Sequence, residues 1–140
     1  MIEVGQFLNF LPPILDGNII SDKRRYMLII EIEKQNNIIK MLNVSSIKNR
    51  KANLWYDYNL EIENYYPLPK PSFAKLNAVY SLDYFEGLEQ FIAKDGRKLD
   101  DKEFDRIINE KQKIEKKYRI RRIKFTEKEF KKYNEEFITQ

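Results

Sequence analysis

Two apolar runs of strand length lie close together in the first third of the chain. Residues 26–32 and 38–44 are rich in Ile, Leu, Met and Val, and the polar residues 35–37 separate them. Apolar, β-branched runs joined through a short polar break are typical of a β-hairpin. We therefore predict two antiparallel strands with a turn at the sequence QNN.

Cationic residues precede the first of these strands, and hydroxyl residues end the second. They are Lys23, Arg24 and Arg25 on one side and Ser45, Ser46 and Lys48 on the other. The start of one antiparallel strand lies beside the end of its partner, so we expect the two groups to share one rim. Cations neutralise a phosphate and hydroxyls orient its oxygens or a ribose hydroxyl, so this rim suits a phosphate ligand. The alternative is that the cations are solvated surface and the serines an ordinary turn.

Further strands are predicted on both sides of the hairpin. Residues 2–11 form a loosely alternating first strand, and residues 53–62 and 72–83 have strand-like composition. The three prolines within residues 63–71 require an extended connection between the last two strands. The loop around residues 16–18 is a candidate flap over the rim of the hairpin.

An aromatic cluster lies in the predicted strand at residues 53–62. Its members are Trp55, Tyr56 and Tyr58. Aromatic residues are common in strands, where they pack in the core or on a face of the sheet. We expect this packing role for all three, and the alternative is a platform on which RNA bases stack.

The last third of the chain predicts helices. Residues 84–93 form a short one, and a second begins after Asp100, where Glu103 completes a capping box. A third begins after Thr126, with Glu129 in the same capping role. Each of the last two helices carries an apolar stripe on one side, so we expect both to pack on the sheet.

Together these elements predict an α+β fold within a single domain. Residues 1–83 are expected to form mainly a small antiparallel β-barrel or half-open sheet, with residues 84–140 as a helical extension packed on it. A chain of 140 residues buries enough apolar surface to fold without disulfides.

The sequence contains neither cysteine nor histidine. Their absence excludes thiol nucleophiles, histidine acid–base catalysis and zinc sites of the usual ligand sets. The acidic residues within 100–105 suit the positive end of a helix dipole, so we predict no metal site and no cofactor. No signal-like segment opens the chain and no apolar run approaches the ~18 residues of a membrane span, which predicts a cytoplasmic protein without a membrane partner.

Positive charge is concentrated near the end of the chain. Residues 111–124 contain eight basic residues and one acidic residue, a net charge of +7 against +4 for the whole chain. Such a segment favours a polyanionic partner whose affinity falls as salt rises, and Lys116, Lys117, Arg121 and Arg122 are the candidate contacts. The alternative is a solvated lysine-rich helix.

Roughly residues 4–110 resemble the SH3-like-barrel endoribonuclease toxins of bacterial toxin–antitoxin modules, in the broad MazF, Kid and ToxN sense. The resemblance lies in the order of several short motifs. These are an early glycine in the first strand (VGQF, residues 4–7), an arginine directly before a strand (Arg25), two hydroxyl residues that end the next strand (Ser45 and Ser46), and GRKL before a helix (residues 96–99).

The resemblance assigns individual residues. Arg25 falls at the arginine that these toxins place before their second strand, and Ser45 and Ser46 fall on a Thr-Ser pair. Lys23 and Lys48 match two lysines of the ToxN-like members, whose antitoxin is a structured RNA.

Two departures from the family pattern are also visible. Lys75 and Asn77 stand where Kid-like members have Arg-x-Asp, and Tyr26 replaces the proline that usually follows the family arginine. Because an amide cannot act as a general base, the resemblance identifies no general base in this chain.

The resemblance implies a metal-independent, sequence-specific endoribonuclease. The ribose 2′-hydroxyl attacks the adjacent phosphate, so the protein mainly has to hold an in-line geometry and neutralise the developing charge. The expected catalytic residues are Lys23, Arg25, Ser45, Ser46 and Lys48. The expected RNA contacts near them are Arg24, Tyr26, Lys75, Asn77 and Tyr80, with Tyr26 or Tyr80 stacking a base.

The implied partners are an RNA substrate and an antitoxin. The Ser-Ser-x-Lys pattern and the basic segment favour a structured RNA antitoxin, as in type III modules, over an acidic protein one. A homo-oligomer or a ring assembled from toxin and RNA is implied as well. Two alternatives to the enzyme stay open, which are a non-catalytic RNA-binding module and a structural module whose basic rim is only solvated.

Overall fold

The computed structural model describes residues 1–12 and 23–138 of the chain. In this part the strands are β1 (Phe7–Phe10), β2 (Arg25–Glu33), β3 (Ile38–Ser46), β4 (Asn59–Ile62), β5 (Ser72–Lys75), β6 (Ala78–Asp83) and β7 (Arg121–Phe125). The α-helices are α1 (Arg50–Asn53), α2 (Asp101–Lys117) and α3 (Glu127–Tyr133), and short 3₁₀ helices lie at Leu88–Phe91, Lys94–Gly96 and Glu135–Phe137. The candidate flap around residues 16–18 falls outside the described residues.

The described strands form one open, mostly antiparallel sheet. Its order is β1-β2-β3-β5-β4, and β6 pairs with both β3 and β7. The pairing of β6 with β7 is parallel, whereas the other neighbours are antiparallel. A sheet of this kind with helices outside it confirms the predicted α+β class.

The β2–β3 hairpin forms where the two apolar runs predict it. Its register pairs Tyr26 with Val44 at one end and Glu33 with Ile38 at the other. A bulge between Ile29 and Glu31 shifts the register by one residue. Asn37 closes the turn in the left-handed region, at φ 57°, which asparagine tolerates better than most residues. The predicted turn at residues 35–37 is therefore confirmed.

The predicted strand at residues 72–83 is interrupted. Its first part, β5, pairs with the end of β3, and its second part, β6, pairs with the start of β3. Leu76 and Asn77 lie between the two parts. Strand β3 therefore changes partners along its length, and the change falls between Met41 and Val44.

The caps of the two long helices differ from each other. Asp100 caps α2 by accepting hydrogen bonds from the backbone of Lys102 and Glu103 at 3.1 and 3.2 Å. The Glu103 side chain turns away to other partners, so the capping box predicted there is wrong. Thr126 and Glu129 do form a complete capping box at the start of α3, as predicted.

Two predictions for the C-terminal third need correction. Residues 84–93 contain only the 3₁₀ helix Leu88–Phe91 instead of an α-helix. Residues 121–125, expected within a helical extension, form strand β7 and pair in parallel with β6. The helical part of the basic segment ends at Lys117, where α2 ends.

Apolar side chains are buried on both faces of the sheet. On one face, Leu8, Phe10, Met27, Ile29 and Tyr80 pack with Phe130 of α3. On the other face, Phe7, Leu28, Val44 and Ala74 pack with Ile107 and Ile114 of α2. We call these the α3 face and the α2 face. Side chains alternate along a strand, so neighbours such as Met27 and Leu28 lie on different faces.

Candidate functional site

Arg25 and Ser45 lie on the same face of the sheet, the α3 face. Arg25 pairs with Phe10, which is fully buried in the α3-side core. Two residues after Arg25, Met27 pairs with Asn43 of β3. Ser45 lies two residues beyond Asn43, so alternation places it on the face that Arg25 occupies. The register thus brings a cation and a hydroxyl together at the end of the hairpin.

Polar residues continue along this face onto β5 and β4. Ser45 pairs with Phe73, and Lys75 follows two residues later on β5. Lys75 in turn pairs with Asn59 of β4. Lys75 and Asn59 are both half-buried. We call the set the polar row, which consists of Arg25, Asn43, Ser45, Asn59 and Lys75.

The Asn43 side chain lies in this row without a hydrogen-bond partner among the described residues. Asn43 is 0% exposed, and neither Nδ2 nor Oδ1 makes a hydrogen bond there. The Oδ1 atom of Asn59 also lacks a partner, although its Nδ2 donates to the carbonyl of Asn53 at 2.9 Å. Leaving such a group unpaired costs about 1–3 kcal/mol, so folded proteins seldom retain one. The row therefore contains buried polar atoms without a partner among the described residues, an arrangement for which a functional role is one explanation.

Asn43 was not among the residues singled out from the sequence. A single asparagine inside an apolar run is compatible with an ordinary exposed position on a strand. Its burial follows from the exchange of partners along β3, since Asn43 lies between Met41, which pairs with β6, and Val44, which pairs with β5. That exchange has no local signal in the sequence.

Ser46 and Tyr26 lie on the opposite, α2 face. Tyr26 pairs with Val44, and Ser46 follows Val44 by two residues. The Tyr26 ring meets Phe7 edge-on at a centroid distance of 6.4 Å, and Lys94 Nζ lies 5.7 Å from the Tyr26 centroid. The structure therefore separates the two predicted serines, placing Ser45 with Arg25 and Ser46 with Tyr26.

The other cations of the predicted rim have different surroundings. Arg24 donates from Nη2 to the carbonyl of Asn9 at 2.9 Å, and its guanidinium lies 4.5 Å from the Phe137 ring centroid. These contacts give Arg24 a structural role in joining β1 to the C-terminal region. Lys23 and Lys48 are both exposed. Their predicted catalytic role stays a prediction.

The predicted RNA contacts Tyr80 and Asn77 differ in their burial. Tyr80 is 1% exposed and packs against Phe125 in the α3-side core. Its ring offers no face to a base, which corrects its assignment to base stacking. Asn77 lies half-buried between β5 and β6, and its carbonyl accepts a hydrogen bond from the backbone of Arg121 at 2.9 Å.

The basic segment is divided between a helix and a strand. Lys116 and Lys117 end α2, whereas Arg121 and Arg122 begin β7, where alternation turns them to opposite faces. A groove with a volume of about 980 Å³ lies at this junction. It is lined by Glu115, Tyr118, Arg119, Ile120, Arg121, Arg122 and Ile123. The groove is a positively charged surface, and none of the polar-row residues lines it.

The aromatic cluster at residues 55–58 is largely outside the core. Trp55 is 72% exposed and Tyr56 53% exposed, which corrects the prediction that they pack on the sheet. They follow helix α1, in a segment where a strand was predicted. Tyr58 does pack against the α2-side core, as expected.

The described residues contain neither a metal-binding cluster nor a membrane-spanning helix. No group of three or more acidic side chains there is arranged to hold a metal ion. None of the helices in residues 1–12 and 23–138 combines the length and apolarity that crossing a membrane requires.

No protein-family model matches the sequence, and no curated protein matches it significantly. Function must therefore be inferred from the site itself and from the motifs of the sequence.

Proposed function

We propose that this protein is an endoribonuclease and that the polar row is its active site. The observation that carries the proposal is the strand register, by which Arg25 and Ser45 lie on the α3 face at the same end of the β2–β3 hairpin. Lys75 adds a second cation to the same face. The motif order shared with the ribonuclease toxins supports this assignment, and it supports an SH3-like half-barrel as the identity of the open sheet.

The proposed reaction is an internal transfer of the phosphate. The ribose 2′-oxygen attacks phosphorus, the bond to the 5′-oxygen breaks, and a 2′,3′-cyclic phosphate and a 5′-hydroxyl result. The 2′-hydroxyl loses one proton and the leaving 5′-oxygen gains one, so no water is consumed. Because the substrate supplies the nucleophile, the protein needs neither a thiol nor an imidazole.

Four residues of the polar row and two flanking lysines have distinct proposed roles. Arg25 neutralises the negative charge that develops on the phosphoryl oxygens, since a guanidinium binds two of them at once. Ser45 hydrogen-bonds the reacting ribose or the phosphate and fixes the in-line conformer. Lys75 adds positive charge. The Asn43 amide, which is unpaired in the free protein, is proposed to hydrogen-bond a neighbouring side chain of the row once RNA is bound. Lys23 and Lys48 are proposed to contact flanking phosphates.

A structured RNA is proposed as the antitoxin, in preference to an acidic protein. The basic groove at the junction of α2 and β7 supports this choice, because a groove lined by Arg119, Arg121 and Arg122 suits a phosphate backbone. An RNA bound there would not need to enter the polar row. A protein antitoxin is the competing proposal, and a neutralisation assay with each class of molecule separates the two.

The two neighbouring serines provide the sharpest test of the active site. Ser45→Ala should lower RNA cleavage by about 100-fold in the presence of EDTA, because it removes a donor aimed at the reacting group. Ser46→Ala is the matched control, since it removes the same hydroxyl from the opposite face and should change the rate by less than about threefold. Equal losses in the two variants, or a larger loss in Ser46→Ala, would contradict the proposed site.

Arg25→Ala tests the cation in the same way. It should also lower cleavage by at least ~100-fold while the protein stays folded. Lys34→Ala is a suitable control, since this exposed cation lies at the turn of the same hairpin, away from the polar row. If wild-type protein binds RNA but does not cleave it, the non-catalytic RNA-binding alternative is correct.

A further inference from the structure

Two large aromatic side chains are held at the surface after helix α1. Trp55 is 72% exposed and Tyr56 53% exposed. Together with Asn49, Lys51 and Ala52 they line a depression of about 430 Å³. Large apolar side chains usually stabilise a fold by being buried, so two of them exposed side by side indicate a binding surface.

The segment that carries these rings is tied to the rest of the fold. Tyr56 stacks on Tyr58 with a centroid distance of 4.9 Å and an angle of 7° between the ring planes. Tyr58 meets Tyr118 edge-on at 5.6 Å, and the Tyr118 hydroxyl donates to Asp57 at 2.7 Å. Lys117 also pairs with Asp57. These contacts hold the aromatic segment against the end of α2, so Trp55 and Tyr56 are exposed on a segment that is anchored to the fold.

The surroundings of the rings favour an anionic ligand. Lys51 is exposed and lines the same depression as the two rings, and the exposed Lys48 lies three residues before it in the chain. The negative charge of Asp57, which lies between the aromatic residues in the chain, is already paired. The hydrogen bond from Lys117, followed in size by that from Tyr118, holds the pKa of the Asp57 carboxylate below the usual range. Exposed aromatic rings beside unshielded cations are the arrangement with which proteins bind single-stranded nucleic acid, through base stacking and phosphate neutralisation.

The aromatic segment is linked to the polar row through the backbone of α1. Strand β3 ends at Ser46, and α1 begins four residues later at Arg50. Asn59 of the polar row donates a hydrogen bond to the carbonyl of Asn53, the last residue of α1. This hydrogen bond ties the polar row to the helical turn that the two aromatic residues follow.

We propose that Trp55 and Tyr56 form a stacking platform for unpaired bases of single-stranded RNA that flank the polar row. This inference rests on the proposed RNA substrate and adds a binding site to it. Stacking requires an exposed base face, so the platform selects single-stranded over double-stranded RNA. A second copy of this chain or a partner protein would be the competing occupant.

Trp55 reports directly on its own occupancy, because it is the only tryptophan in the sequence. The probe is a single-stranded 2′-O-methyl oligoribonucleotide, which cannot be cleaved because its nucleophile is blocked. Titrating it should quench Trp55 emission to saturation, whereas the same oligonucleotide in a duplex should not. Trp55→Ala should weaken binding by at least about fivefold, measured by anisotropy of a labelled oligonucleotide.

Two further variants keep the test interpretable. Trp55→Phe retains a ring and should bind within about threefold of wild type, so that a loss in Trp55→Ala is a loss of stacking. Tyr66→Ala removes an aromatic ring that is 61% exposed but lies in the proline-rich connection, and it should bind like wild type.

The outcomes that overturn the platform are distinct from those that overturn the nuclease. Saturated binding with unchanged Trp55 emission would overturn the platform, as would equal quenching by the duplex. An emission change that depends on protein concentration in the absence of RNA would assign the surface to a second copy instead. An absence of cleavage would leave quenching intact, because the probe cannot react, and would overturn only the nuclease assignment.

Discussion

Asn134 and Leu11 are joined by a pair of hydrogen bonds between segments at opposite ends of the chain. The Leu11 backbone nitrogen donates to Asn134 Oδ1 at 2.7 Å, and Asn134 Nδ2 donates back to the Leu11 carbonyl at 2.9 Å. The Asn134 side chain therefore continues the pairing of β1 beyond its last residue. It is 0% exposed, so water cannot replace these bonds without local opening.

This pair predicts a loss of stability in Asn134→Ala. Removing the amide leaves the Leu11 donor and acceptor without their partner, which should lower the free energy of unfolding by about 2 kcal/mol. Asn134→Asp should not restore it, because a carboxylate cannot donate to the Leu11 carbonyl. Urea unfolding measures both. Asn109→Ala, at an exposed position of α2, is the control, and a similar loss there would contradict the assignment.

Asn43 and Asn134, which are both fully buried, should respond oppositely to an apolar replacement. The Asn43 side chain makes no hydrogen bond to the described residues, so Asn43→Leu should leave the free energy of unfolding unchanged or raise it by about 1 kcal/mol. Asn134→Leu should lower it. If the Asn43 amide positions the active site, Asn43→Leu should also slow RNA cleavage at least about tenfold while the fold is retained. Lower stability with an unchanged cleavage rate would make Asn43 a purely structural residue.

Glu103 is a buried carboxylate that fastens α2 to the connection after β4. Its Oε1 accepts from Arg106 Nε at 2.7 Å and its Oε2 from the backbone of Asn64 at 2.8 Å. Burial by itself raises the pKa of Glu103, but the hydrogen bonds from Arg106 and Asn64 outweigh it, and the net pKa lies below the usual value. Arg106 also donates to the Glu61 carbonyl at 2.6 Å, so the group joins three segments.

The lowered pKa of Glu103 predicts a pH-dependent stability. A carboxylate with a lower pKa in the folded state stabilises the fold above its unfolded pKa of about 4.3, and this contribution is lost as pH falls through the folded pKa. Glu103→Gln should therefore be less stable than wild type at pH 7, and the difference should shrink below about pH 4. Asp105→Asn, at an exposed position of the same helix, is the control. A difference that stays constant with pH would contradict this role.

Local patterns predicted the hairpin well, because both strands are apolar runs and the turn fixes their register. The sequence therefore also predicted that the region around Arg25 pairs with the region around Ser45. The separation of Ser45 from Ser46 follows from alternation alone, yet a short motif match treats the two as one unit. Sequence periodicity predicts the face of a side chain better than a motif does.

Features made by contacts between distant segments were not predictable in this way. The sequence RRIKF of β7 has cations on both sides of Ile123 and resembles a continuation of the charged helix before it. Only its parallel pairing with β6, about forty residues earlier in the chain, makes it a strand. In the same way, Trp55 belongs to an aromatic-rich run that is typical of a strand. In the structure it instead follows helix α1, which Asn49 caps.

The basic groove at the junction of α2 and β7 gives the last prediction, which concerns RNA affinity and its salt dependence. Arg119→Glu with Arg121→Glu reverses two charges that line the groove. The control is Lys128→Glu with Lys132→Glu, which reverses two exposed charges on α3 and changes the net charge by the same amount. If RNA phosphates occupy the groove, the first double variant should bind RNA more weakly. Its plot of log affinity against log salt should also be less steep by about 1.4, since two fewer single-strand phosphate contacts release fewer counterions. Equal changes in both double variants would show that net charge, and not the groove, governs binding.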